Sequence, residues 1–138
     1  MKQYLNAFMN NSATIRGVLK EALTDAPHKV VAFDEDGTLK VAEEGKVAVG
    51  LILSDAPADD SGSTPAGAEI DVLIKDIGLG IAGEAIKAGD LLTAGSDGKL
   101  KKSAESNFIF GMAMTSAEAD GELVQVQITK GGFGANPT

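Results

Sequence analysis

The chain has 138 residues, 43% of them hydrophobic, with 17 glycines, no cysteine and one histidine, His28. That length holds one domain or two small units sharing a core. The formal net charge of −8 argues against nucleic acid or anionic lipid as a partner, and the cysteine and histidine counts leave no disulfide, thiolate or histidine-rich metal site.

No apolar run reaches membrane length and no signal-peptide core opens the chain, so a soluble protein made in a cytoplasm is expected. Residues 1–12 carry Tyr4, Leu5, Phe8 and Met9 at helical spacing and match nothing later in the chain, so they read as an N-terminal arm. Residues 13–23 fit a helix face through Ile15, Val18, Leu19 and Ala22. The related stretch 77–86 holds three glycines, which helices tolerate poorly, so a strand is expected in both places. Val30–Phe33 and Leu39–Val41 flank Asp36-Gly37, a hairpin signal because glycine accepts the positive φ of the turn. Lys46–Ser54 reads as the best strand, with Val47, Val49, Leu51 and Leu53 on one face and Ala48 and Ile52 on the other. A strand apolar on both faces is central in its sheet or covered by another subunit. A polar loop follows at 56–68, then strands are expected at Glu69–Ile77 and Glu122–Thr129.

Residues 30–56 lie over residues 91–117 without a gap. Asp36-Gly37 falls on Asp97-Gly98, Leu39-Lys40 on Leu100-Lys101, and Gly50 on Gly111. Gly17 falls on Gly80 upstream, and Ile70, Val72 and Ile74 fall on Val124, Val126 and Ile128 downstream. The expected organisation is an arm (1–12), a first β unit (13–75), a second β unit (76–130) and a C-terminal tail (131–138). The expected fold is mainly β: two tandem small β units forming a compact sandwich or barrel-like domain.

Three motifs invite chemistry. VVAFDEDGTL at 30–39 resembles the first motif of the haloacid dehalogenase phosphatases, which would make Asp34 the nucleophile and Asp36 the acid/base around Mg²⁺. Ser54, Lys87 and Asp90 would then serve as the later motifs. The gap from Asp34 to Ser54 is too short for a Rossmann-like crossover, and the second copy keeps Asp97-Gly98 but has Gly95 in the nucleophile position. The shared element is the turn. GLGIAG at 78–83 matches a dinucleotide fingerprint, but no helix can follow it, so its glycines read as turn or bulge residues. Asp55, Asp59, Asp60, Ser61 and Ser63 could chelate Ca²⁺ but lack EF-hand spacing and read as a solvated loop. No catalytic, cofactor-binding or metal-binding residue is assigned, and an enzyme is not expected.

Ala85–Leu91, the Asp97–Lys99 turn, Phe108–Met112 and the Gly121–Ile128 strand resemble the capsid decoration, or cement, proteins of tailed bacteriophages. The resemblance implies a β-rich structural virion protein that binds the outer surface of the expanded head and stabilises the capsid. Its partner would be the major capsid protein, often engaged as a homotrimer, and no cofactor is implied. It would be made in the host bacterial cytoplasm. On this reading Tyr4, Leu5, Phe8 and Met9 are the capsid-contact candidates. Ile52, Ile109 and Ala113 are the subunit-interface candidates if they face outward. The alternatives are the Asp34/Asp36 phosphatase, and a head fibre or receptor-binding module using the loop Pro57–Gly67.

Overall fold

A computed structural model describes residues 12–137. They form twelve strands: β1 (Thr14–Val18), β2 (Leu23–Thr24), β3 (Val30–Phe33), β4 (Leu39–Val41), β5 (Gly50–Ile52), β6 (Ser63–Thr64), β7 (Glu69–Leu73), β8 (Asp76–Ile81), β9 (Leu91–Ala94), β10 (Leu100–Lys102), β11 (Gly111–Ala113) and β12 (Leu123–Ile128). The only helical turn among the described residues is a 3₁₀ turn at Ser96–Gly98. Every ladder is antiparallel. The mainly β fold expected from the sequence is what the chain adopts.

The strands form two five-stranded sheets with one wiring. The first runs β1-β7-β5-β3-β4 and the second β8-β12-β11-β9-β10; β2 and β6 pair separately. Position by position, β1 corresponds to β8, β7 to β12, β5 to β11, β3 to β9 and β4 to β10. Backbone hydrogen bonds repeat with the sequence: Val49 N–H donates to Val31 O and Phe110 N–H to Leu92 O, each at 2.8 Å. Lys20 N–H reaches Leu39 O at 2.9 Å, and Gly83 N–H reaches Leu100 O at 2.8 Å.

Each sheet curls until its edges meet at one parallel bridge, Leu19 with Leu39 and Ala82 with Leu100, and stops short of a closed barrel. Glycine permits the curl. A Cβ on Gly17 would lie 2.5 Å from Leu39 Cδ1, and one on Gly80 would lie 2.5 Å from Leu100 Cδ1. The leucine fills the space that a side chain there would take. The fingerprint-like glycines Gly78 and Gly80 therefore sit inside β8 as close-approach residues, not in a turn or bulge as the sequence suggested.

Leu19, Val31, Leu39, Ile52, Ile70 and Val72 make a core within the first curl. A larger cluster fills the second curl and continues between the sheets through Val30, Leu51 and Leu73. β5 is thus central, with Ile52 facing one core and Leu51 the other. Of the expected strand Lys46–Ser54, Gly50–Ile52 forms the strand, flanked by Val49 N–H on Val31 O and Leu53 N–H on Asp71 O, while Gly45 just before it bonds to the second sheet. The strand expected at Glu69–Ile77 divides into β7 and β8 near Asp76, whose φ is +69°. Opposite β11, Thr129 N–H and Lys130 N–H both donate to Phe110 O, a bulge pattern with two residues facing one. Phe110 is fully buried, whereas Met114, expected on the same face, is 40% exposed.

Candidate functional site

The Asp34/Asp36 pair sits in the β3–β4 turn. Gly37 takes φ +87°, and Asp36 Oδ1 accepts from Thr38 N–H at 3.0 Å and Thr38 Oγ1 at 2.5 Å. Asp34 pairs with Lys20 and, at 3.4 Å, with Lys40. The Lys20 hydrogen bond holds Asp34 below the usual carboxylate range, and the Thr38 hydroxyl does the same for Asp36. A general acid needs the opposite shift. The phosphatase motif also requires parallel strands joined by helical crossovers, and all ladders here are antiparallel. The pair builds a turn and three ion pairs, the third between Lys20 and Asp36 at 3.8 Å. In the acidic loop, Asp59 Oδ1 is likewise taken up by Ser61 N–H at 2.9 Å, Ser61 Oγ at 2.6 Å and Ser63 N–H at 3.0 Å.

The seam between the sheets is polar as well as apolar. Lys29, with 7% of its side chain exposed, reaches Asp97 at 3.1 Å across the seam. Lys101 reaches Glu44 at 2.6 Å. Lys99, at the foot of edge strand β10, pairs with Asp120 at 2.8 Å within the second sheet.

Surface chemistry differs sharply between equivalent ladders. Ladder register places Ile77, Leu79 and Ile81 on one face with Gln127, Gln125 and Leu123, and Met112 continues that face from β11. None of these residues is charged. Ile77 is 48% exposed, Leu79 42% and Leu123 50%. On the first sheet the same positions are Thr14, Arg16 and Val18 facing Leu73, Asp71 and Glu69. There Arg16 pairs with Asp71 at 3.2 Å and Glu69 at 3.3 Å.

Of the residues singled out from the sequence, Tyr4, Leu5, Phe8 and Met9 lie outside the described residues. Ile52 and Ala113 do not face outward. They are 0% and 1% exposed because each points into the curl of its own sheet, and the chain itself covers them. Ile109 is half-buried beside Gly131 and Gly134. Val18, Phe33, Val47, Met114 and Phe133 are exposed, and on the second sheet's outer ladder so are Ile77, Leu79 and Leu123. A reading of β8 as a ladder partner of β12 would have found the last three, since both strands alternate with period two.

A family model described as phage cement protein matches residues 61–128, just under half of the chain and all of the second sheet. The match supports the cement, or decoration, family for this chain. The crystal structure of the head fiber gp8.5 N base in bacteriophage phi29 has the same fold, with a TM-score of 0.66 at 20% identity over 91% of this chain and 97% of that one. No curated protein matches the sequence. Taken together, these findings support a structural protein of the phage head.

Proposed function

We propose that this chain is a decoration protein that binds the outer surface of the phage head through the major capsid protein and stabilises the expanded shell. The observation that carries this is the position of the family match: residues 61–128 span the second sheet, whose outer ladder face pairs Ile77, Leu79 and Ile81 with Gln127, Gln125 and Leu123 and carries no charge. Many weakly held copies bridging neighbouring capsomers would offset internal pressure by multivalency. In this reading the arm residues Tyr4, Leu5, Phe8 and Met9 dock on the shell, adding backbone contacts to a capsid edge. The homotrimer on the shell uses Ile77, Leu79 and Leu123, an uncharged strip that adds no local like-charge contact to the repulsion between chains of net charge −8.

Co-sedimentation with heads lacking the protein tests this. Saturable binding to expanded heads at a fixed ratio to the major capsid protein, absent from unexpanded shells, is the expected result. Removal of residues 1–12 should abolish it while leaving the fold intact. Binding that survives that removal would overturn the role of the arm.

The likeness to a head-fibre base favours a second reading, attachment of a fibre or receptor-binding module on the head. It calls for the loop Pro57–Gly67 to be needed for host adsorption yet dispensable for head binding.

A further inference from the structure

The two sheets differ at one backbone notch. In the second sheet, β9 and the segment before β11 splay apart between Ala94 and Phe108. The peptide of Gly45 fills the gap: its N–H donates to Ala94 O at 2.8 Å, and its carbonyl accepts from Phe108 N–H at 3.0 Å. Glu44, just before it, reaches Lys101. Only glycine suits that insertion, because φ is +71° and a Cβ would lie 2.5 Å from Asn107 Nδ2.

In the first sheet Phe33 and Val47 occupy the places of Ala94 and Phe108. The ladder phase is the same: Asp34 N–H donates to Thr38 O as Gly95 N–H donates to Lys99 O, which turns the Phe33 carbonyl away from β4. No hydrogen bond joins Phe33 to Val47, and among the described residues the Val47 N–H has no partner. Phe33 is 53% and Val47 58% exposed. Between them opens a cavity of about 340 Å³ lined also by Val49, Phe108 and Lys130.

The cations around this notch suit an acidic visitor. Lys46 stands in the place of Asn107; Lys40, in the place of Lys101, is already held by Asp34 at 3.4 Å and Glu43 at 3.5 Å. Lys130 takes φ +48°, a left-handed conformation uncommon for a side-chain-bearing residue, and this presents it to the cavity. Among the described residues no carboxylate pairs with Lys46 or Lys130. Burial pushes the Lys130 ammonium down, a shift that a carboxylate would reverse.

We propose that the Phe33–Val47 notch accepts a loop of the shell protein in which an acidic residue precedes a glycine. The chain's own Glu44-Gly45 in the second sheet is the template. This rests on the reading of the chain as a head-binding protein. The visiting glycine would bridge the Phe33 carbonyl and the Val47 N–H, and its acidic neighbour would meet Lys130 and Lys46.

The test uses the full chain and a peptide copied from its residues 42–48. In an amide NMR titration the peptide should shift Phe33, Val47 and Lys130 saturably at millimolar concentration. Glu43→Gln with Glu44→Gln in the peptide, or Lys130→Glu in the protein, should weaken this severalfold. Shifts confined elsewhere, or none, would overturn the proposal. On expanded heads Lys130→Glu should bind about tenfold more weakly with an unchanged denaturation midpoint. Wild-type binding that Lys130→Glu leaves untouched would also overturn it. If the wild type fails to bind heads at all, the head-binding reading falls, and the peptide titration still decides whether the notch takes an acidic-glycine segment.

Discussion

The β1–β7 ladder and the β8–β12 ladder have the same register and opposite surfaces. Arg16 faces Asp71 in one, and Leu79 faces Gln125 in the other. Within the curls the two sheets remain alike: Leu39 fills the space over Gly17 as Leu100 does over Gly80, and Val72 stands against Gly50 as Val126 does against Gly111. Packing constrains both interiors in the same way, since a well-filled core tolerates neither lost nor added volume. The outer faces carry no such constraint, so one became a solvated ion-pair surface and the other an apolar strip. The difference separates positions fixed by packing from positions that packing leaves free to vary.

If the interiors are equivalent, Leu39→Ala and Leu100→Ala should each cost about 2–5 kcal/mol by chemical denaturation. A loss confined to one sheet would break the equivalence. Gly50→Ala and Gly111→Ala come next, at about 1–3 kcal/mol each, because the new Cβ would lie 2.2 Å from Leu73 O or 2.4 Å from Gln127 O. Gly17→Ala should be destabilising alone and milder when combined with Leu39→Val, which trims the overlapping leucine; simple additivity would argue against that contact. Across the seam, Asp97→Asn leaves the buried Lys29 ammonium without its counter-charge and should cost about 1–3 kcal/mol.

The smallest effects belong to the ion-paired surfaces. Arg16→Ala should leave the denaturation midpoint essentially unchanged, as exposed pairs contribute little. On the apolar strip, Leu79→Arg with Gln125→Asp copies the first sheet's pair onto the second. If copies meet through this strip as proposed, the double variant should preserve the fold and lower the ratio of bound protein to major capsid protein on heads. Because Asp34 sits below the usual range in the folded state, its contribution is present above the unfolded pKa of about 3.9 and lost as pH falls through the lower folded value. Asp34→Asn should therefore flatten the acid limb of a stability-versus-pH curve.

Much of the fold was legible in the sequence. Matching Asp36-Gly37 to Asp97-Gly98 identified both turns, and matching Gly17 to Gly80 argued β1 and β8 into strands against a helical pattern. The same comparison stripped Asp34 of its tempting role, since a nucleophile is not replaced by glycine in a copy that keeps the turn. The surfaces were less legible. Ile52 and Ala113 read as possible outward residues because period two tells which residues share a face but not which face is covered. Gly78 and Gly80 read as turn glycines because nothing local reveals that Leu73, Leu51 and Leu100 press on them.

The sequence by itself determined the β class, the repeat and the turns, because these depend on composition and short-range pattern. Tertiary structure alone decided that the sheets curl over Leu39 and Leu100, that Leu51 joins them, and that Gly45 plugs one notch while its counterpart at Val47 stays open. Those outcomes depend on contacts between residues dozens of positions apart, where steric fit and not local preference selects the arrangement.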